Sequence, residues 1–380
     1  MKRIKNRLFT GSIIGIVLVI AAAGILTTLL SHAATVSLPL EPETGTISQN
    51  TSGMATVVSD STASGGKAIQ FGASTTPPPP SGDFTMPTAA SVGPRCDVST
   101  TVTPAQALTT LRATGELSCV TINGQFTLEG SDGVNWHITD VRIITSAVNG
   151  YGLRTYLGFG GVDAFTGTLA QRPVFSHIEI VGLAAHASGA GACSAAVAAN
   201  DIILEYADIY GCTDGVKSWS DFALRYSWIH DMDHPSGAHS DALQIVSGSN
   251  LEFTGDRFDG YDGYSSDGTG MPSDYAGNSV LQTGHCNGDV QATFTHNWFA
   301  GGHYTIRGEG ACDSSDTTKH PAPYTVHYVF HDNRWLRHGT SVALGRSDLV
   351  PNTYGPIYGS TAADQDWVDN VWDDTGEAVH

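Results

Sequence analysis

One feature limits what this chain can fold into more than any other: a short pattern that recurs along most of its length. Each copy is an apolar alternation, then a polar residue, then a closing apolar residue. The copy Ile203-Leu204-Glu205-Tyr206-Ala207-Asp208-Ile209 is typical, and others occupy 222–229, 251–258, 290–299, 326–335 and 367–372. Weaker copies end at Ile143 and Ile180. Aligned on the closing residue, the copies fall at Ile143, Ile180, Ile209, Ile229, Phe258, Phe299, Trp335 and Trp372, at spacings of 37, 29, 20, 29, 41, 36 and 37 residues. A unit this short cannot bury its apolar face alone, so copies must stack and share one core. The shortest spacing is about one bare turn of a solenoid, and the longer ones carry inserted loops. The expected fold is all-β: a single-stranded parallel β-helix stacking from about residue 118 to 375.

Two positions before the closing residue stand Ser227, Asp256, Asn297, Asn333 and Asn370. Small polar residues there suit a stacked bend whose backbone groups are satisfied by side chains. A second strand per copy reads as Gly215-Val216-Lys217, Ala242-Leu243-Gln244, Val280-Leu281-Gln282, Thr305-Ile306-Arg307 and Ala343-Leu344-Gly345. If Val216, Leu243, Leu281, Ile306 and Leu344 point inward, Lys217, Gln244, Gln282 and Arg307 form one outward ladder.

The N-terminus carries an export signal. Lys2, Arg3, Lys5 and Arg7 precede an apolar run over 13–30, and Ser31-His32-Ala33 supplies small residues for cleavage. The run is also long enough to span a bilayer. A cleaved signal and an uncleaved anchor both fit, and either leaves residues 35–380 outside the cell, with membrane contact only through this segment. The domain plan is therefore a membrane-targeting segment at 1–34, a polar spacer at 35–74, a Pro-rich linker at 75–82, and the repeat body at 83–380. Six cysteines behind an export signal predict disulfides. They fall into local pairs, Cys96 with Cys119, Cys193 with Cys212 and Cys286 with Cys312, although six cysteines allow 15 connectivities. The net charge of −19 argues against nucleic acid as a partner, because that needs a basic surface. It suits solubility outside the cell.

Two resemblances follow. The segments 41–46 and 57–71, with an acidic start and Ala63-Ser64-Gly65-Gly66-Lys67 leading into a strand, resemble the opening of β-sandwich carbohydrate-binding modules. The likeness stops at the linker, well short of the roughly 100 residues a sandwich needs, so the segment reads as a spacer that retains a hairpin. Over roughly 95–375 the repeat, together with His239-Ser240-Asp241-Ala242-Leu243-Gln244, resembles the pectin-lyase-like superfamily of right-handed parallel β-helices. That resemblance implies a secreted, monomeric protein acting on polysaccharide, by β-elimination of uronates or by hydrolysis. Neither the motif sets of the polygalacturonase-type hydrolases nor the best-known pectate lyase strings are present, Trp228-Ile229-His230-Asp231 echoing one only in permuted order, so no catalytic residue carries over by motif.

Elimination needs a base, a cation on the uronate carboxylate, and a proton for the leaving oxygen. The candidates are Lys217 as a base activated by a neighbouring cation, Arg307 as the carboxylate grip, and His239 with Asp241 as an oriented acid/base pair. Gln244 and Gln282 line the same ladder, and Tyr261 and Tyr264, on an Asp-rich insertion over 259–267, are placed to stack on sugar rings. Asp231 and Asp233 are candidate ligands for Ca²⁺, with Asp241 beside them. Plainer roles stand beside each: Lys217 as a solvated surface lysine, Arg307 paired with Glu309, His239-Ser240-Asp241 as a turn, and the insertion as a solvated loop. Hydrolysis would use carboxylates among Asp231, Asp233, Asp241 and Asp262. A non-catalytic surface protein that binds glycan along the same stripe also fits the anchor and spacer.

Overall fold

The computed structural model describes residues 84–129, 132–145, 150–155, 167–182, 193–234, 240–265, 279–283, 289–308, 326–343, 345–349, 355–358 and 366–379, together with strands Ala55–Ser59 and Lys67–Phe71. Contacts divide the chain into Met1–Gly82 and Asp83–His380. In the first unit the two strands form an antiparallel pair, Val57 opposite Ile69, which is the hairpin the spacer retains. The membrane-targeting segment lies outside the described residues. Among the described residues no helix is long and apolar enough to cross a membrane.

The second unit is all-β apart from short helices, and its strands lie in long parallel sheets. This is compatible with a stacked solenoid. An eight-stranded sheet is built from Phe126–Thr127, Tyr151–Arg154, Ala195–Ala199, Asp214–Ser218, Asp241–Ile245, Ser279–Thr283, Tyr304–Gly308 and Gly355–Tyr358, each beside the next in chain order. A seventeen-stranded sheet holds two strands per repeat, such as Ile202–Glu205 and Asp208–Tyr210, or Phe222–Arg225 and Trp228–His230. Its register pairs the closing residues in one unbroken column: Ile143, Ile180, Ile209, Ile229, Phe258, Phe299, Trp335, Trp372. A second inward column runs Phe175, Leu204, Leu224, Phe253, Phe294, Phe330, Trp367. Within it Phe253 and Phe294 stack at 4.7 Å and Phe294 and Phe330 at 4.5 Å. Such aromatic pairs contribute roughly 0.5–1.5 kcal/mol each beyond their burial.

Between the two strands of a repeat the chain bends through one residue at positive φ, among them Tyr206, Tyr226, Gly255, His296, Asp332 and Asp369. The residue after it enters the interior and closes the bend. Asn297 N donates to Asn333 Oδ1 at 2.9 Å and Asn333 N to Asn370 Oδ1 at 3.2 Å. Their side-chain amides donate to carbonyls of the preceding repeat, Asn297 to Phe253 and Asn333 to Phe294. Asp256 and Ser227 continue the column, with Ser227 N on Asp256 Oδ1 and Ala207 N on Ser227 Oγ. A buried backbone N–H must find an acceptor, and here the next repeat supplies it.

The helix Pro104–Thr114 precedes the first full repeat and buries Ala107 and Leu111. Thr103 and Gln106 form a capping box at its start, and Gly115 ends it in the left-handed conformation. Disulfides join Cys96 to Cys119 and Cys193 to Cys212, and Cys286 and Cys312 lie outside the described residues. One strand differs from expectation. The eighth member of the eight-stranded sheet is Gly355–Tyr358, with Ile357 beside Ile306. Ala343 and Gly345 instead lie in the turn between Gly339–Ser341 and Arg346–Leu349, an antiparallel pair. Gly345 has φ 63° there, which reverses the chain.

Asp256 is the one acid in a column of amides and a hydroxyl. Burial raises its carboxyl well above the usual carboxylate range, against the backbone N–H bonds that favour the anion. Its stabilising contribution is therefore complete below the unfolded value of about 3.8 and is lost as pH rises. Asp256→Asn is predicted to raise the melting temperature at pH 7, with the gain fading as pH falls towards about 4. Asn333→Ala is predicted to cost roughly 1–3 kcal/mol in chemical denaturation, because it strips acceptors from Asn297.

Candidate functional site

The eight-stranded sheet carries the ladder that the alternation predicts. Register pairs Lys217 with Gln244, Gln244 with Gln282, and Gln282 with Arg307. The column continues through Ala198 to Arg154 on one side and to Tyr358 on the other. Val216, Leu243, Leu281 and Ile306 lie in the core between these positions. The ladder is not uniformly open. Lys217 and Arg307 are half-buried, while Gln244 and Gln282 are buried at 8% and 4% exposure. An open amide stripe for substrate is therefore corrected to a column with accessible cations at Lys217 and Arg307.

Lys217 has a partner that no sequence pattern singled out. Its Nζ lies 2.7 Å from Asp214 Oδ2, three residues earlier on the same strand. Asp214 Oδ1 also accepts the Asp241 backbone N–H at 3.0 Å. The neighbour of Lys217 is thus a carboxylate, where activation as a base called for a cation. Asp241 is buried, shares the parity of Leu243 and Ile245, and accepts a hydrogen bond from Ser279 Oγ. It therefore does not stand on the outward face with Lys217 and Gln244. His239 lies outside the described residues, as does Glu309, the alternative partner of Arg307.

Arg154 and Asp214 are the residues the sequence patterns missed. Arg154 follows Leu153, which pairs with Val197, so its place in the ladder was readable once Tyr151–Arg154 was counted as a repeat. Its guanidinium lies 5.4 Å from the Tyr151 ring centre.

Asp231, expected as a metal ligand, is committed elsewhere. It is buried, and Oδ2 accepts from Val342 N at 2.8 Å and Ala343 N at 3.1 Å and pairs with His230 Nδ1 at 2.7 Å. Oδ1 accepts from Ser341 Oγ. With both oxygens engaged, this carboxylate does not fit a Ca²⁺ site. Asp233 is buried on Met232–His234, which pairs with Asp262–Ser265. Among the described residues no group of three or more His, Cys, Asp or Glu is placed to hold a metal ion. Tyr261 is likewise corrected. It is fully buried, its hydroxyl donates to Leu349 O at 3.2 Å, and it packs with Ala300 and Leu349. The first part of the Asp-rich insertion is strand, not loop, because Asp259 is buried within Arg257–Gly260. Tyr264 stands on the strand Asp262–Ser265 opposite Asp233.

A charged cluster surrounds His230. Its two ring nitrogens face carboxylates, Nδ1 to Asp231 and Nε2 to Asp208 at 2.8 Å, so both carry protons. Tyr210 stacks on the ring at 5.2 Å and Trp228 covers it at 4.1 Å. Trp228 Nε1 in turn donates to Asp259 Oδ2 at 2.7 Å. Through Asp231 the imidazolium holds the 339–349 pair of strands.

In comparisons with known proteins, the chain matches no family model, no curated protein and no solved structure at a significant level.

Burial by itself would lower the His230 value, but the two carboxylates outweigh it and raise it to about 9. A raised histidine contributes fully below its unfolded value of about 6.5 and is lost as pH passes the folded one. Native stability is therefore predicted to fall between about pH 7 and pH 10 in denaturant titrations. His230→Asn should flatten that slope while lowering stability at pH 7 by roughly 3–5 kcal/mol, because it leaves buried carboxylates uncompensated.

Proposed function

We propose that residues 83–380 form a right-handed parallel β-helix of the pectin-lyase-like kind, exported and monomeric, acting on an anionic polysaccharide along the outer face of the eight-stranded sheet. The carrying observation is the column Arg154, Lys217, Gln244, Gln282 and Arg307 in register. In a chain of net charge −19, a file that sets Arg154, Lys217 and Arg307 on one line, with Asp214 paired to Lys217, offers a polyanion cations to pair with. Strands in a sheet lie about 4.8 Å apart, so Lys217 and Arg307, three rungs apart, span about 14 Å, the scale of a short oligosaccharide.

The reaction we assign is β-elimination. A base takes the proton next to the uronate carboxylate, and the C–H electrons form the new double bond. The bond to the glycosidic oxygen breaks, and that oxygen takes up a proton. Arg307 grips, with two N–H groups, the carboxylate of a uronate further along the polymer, about three rungs from Lys217, and holds the chain in place for the reaction. Lys217 acts as the base in its neutral form, after it has left Asp214 and given its extra proton to solvent. The ion pair in the free chain favours a second reading, a surface protein that binds the same glycan without cleaving it. Hydrolysis by a carboxylate pair loses Asp231, whose oxygens are occupied.

The full chain, incubated with pectate, alginate and other uronate polymers in Ca²⁺ or chelator, should release unsaturated products that absorb in the ultraviolet. Lys217→Ala should reduce that rate by roughly 10²–10⁴-fold, and Arg307→Ala should weaken polymer binding, both with native circular dichroism. Binding without product would establish the second reading. Neither binding nor product on any uronate polymer would sink the proposal.

A further inference from the structure

The bends of the seventeen-stranded sheet set one positive-φ residue per repeat in a file. His177, Tyr206, Tyr226, Gly255 and His296 occupy successive places at φ 53°, 54°, 56°, 68° and 58°. Four of the five are rings. His177 stacks on Tyr206 at 4.5 Å with planes 5° apart, and Tyr206 on Tyr226 at 5.2 Å. Gly255 interrupts the file and has no ring to offer.

A ring from elsewhere fills that gap. Phe84 lies 3.9 Å from His296 with planes 10° apart, and 6.5 Å from Tyr226 at 23°. A Cβ on Gly255 would come within 2.8 Å of Tyr226 Cδ1 and 3.4 Å of Phe84 Cδ1. The backbone angle does not explain the glycine, since Tyr226 and His296 adopt the same conformation on either side of it. The rings around it do: a Cβ would press on the Tyr226 ring, and Phe84 lies next to it in the place a side chain would take.

We propose that Gly255 leaves a ring-sized slot in the aromatic file, that Phe84 is its ligand within the same chain, and that the segment from Phe84 to Cys96 is a strap releasable at the Phe84 end. The strap runs against the order of the repeats. From the slot at Gly255 it passes Pro87, whose carbonyl accepts from Arg257 Nη1 at 3.4 Å. Gly93 N then donates to Tyr206 O at 2.9 Å. Arg95 closes two bonds of 2.9 Å on Asp140, and Cys96 is joined to Cys119. One end is thus covalent. The other is held by the Phe84 ring, which is 36% exposed, together with the bond between Pro87 and Arg257.

The test uses the full chain with Phe84→Ala, Gly255→Tyr and the double variant. In the native protein, chymotrypsin should cut only slowly after Phe84. Gly255→Tyr should place its own ring in the file, expel Phe84 and speed that cut at least tenfold with unchanged circular dichroism. Phe84→Ala should lower the melting temperature, and adding Gly255→Tyr should restore it. Hydrogen exchange at the Gly93 amide reads the strap without touching the slot, and it should quicken at least tenfold in Phe84→Ala. Unchanged exchange at Gly93 would overturn the proposal. So would a folded Gly255→Tyr chain that still protects Phe84, or a double variant no more stable than Phe84→Ala.

Discussion

From Ala207 onward the body depends on one buried contact repeated from bend to bend: the side chain of one repeat accepting the backbone N–H of the repeat before it. Without Asn297, Asn333 and Asn370 the sharp turn between paired strands would bury unsatisfied amides, and each would cost roughly 1–3 kcal/mol. With them, the bend can lie inside the molecule, and the closing residues from Ile209 to Trp372 fall into one column. The ladder therefore fixes register, and register decides which side chains reach the surface.

That fixed register leaves the outer faces free to carry chemistry. On the eight-stranded sheet it brings Lys217 and Arg307 onto one line though 90 residues separate them in sequence. On the bends it produces the aromatic file and its vacancy at Gly255. Around His230 it gathers Asp208 and Asp231 against one imidazole, and hands Asp231 to a pair of strands more than a hundred residues later. Each arrangement is a consequence of stacking, since none of these residues is close in sequence to all of its partners.

Much of the fold was legible because period-2 alternation and a polar bend residue are local signals with one structural meaning. The closing column and the amide ladder follow from them directly. The order Lys217, Gln244, Gln282, Arg307 follows too, once Val216, Leu243, Leu281 and Ile306 are taken as inward. The strand predicted at Ala343-Leu344-Gly345 failed because a short apolar triplet carries no evidence of its neighbours; the pairing went to Gly355–Tyr358. Thr103 and Gln106 did announce a helix, through a capping box that the strand pattern around it obscured. Tyr261, Asp231 and Asp241 read as site residues because aromatic and acidic side chains default to the surface. Each is buried here by a partner remote in sequence: Leu349, Ser341 and Ser279 respectively.

The repeat, the inward faces and the bends could be read from residues within one or two units of each other, and the spacing of the cysteines suggested local pairs of which the structure shows two. Only the tertiary structure decided which polar groups are spent holding the body together. Lys217 meets Asp214, Asp231 is consumed by backbone amides, and Phe84 returns across several repeats to fill the place of a missing side chain. The physical reason is that burial and pairing depend on what is brought alongside, and in a stacked fold the neighbour of a residue is set by register and not by its distance along the chain.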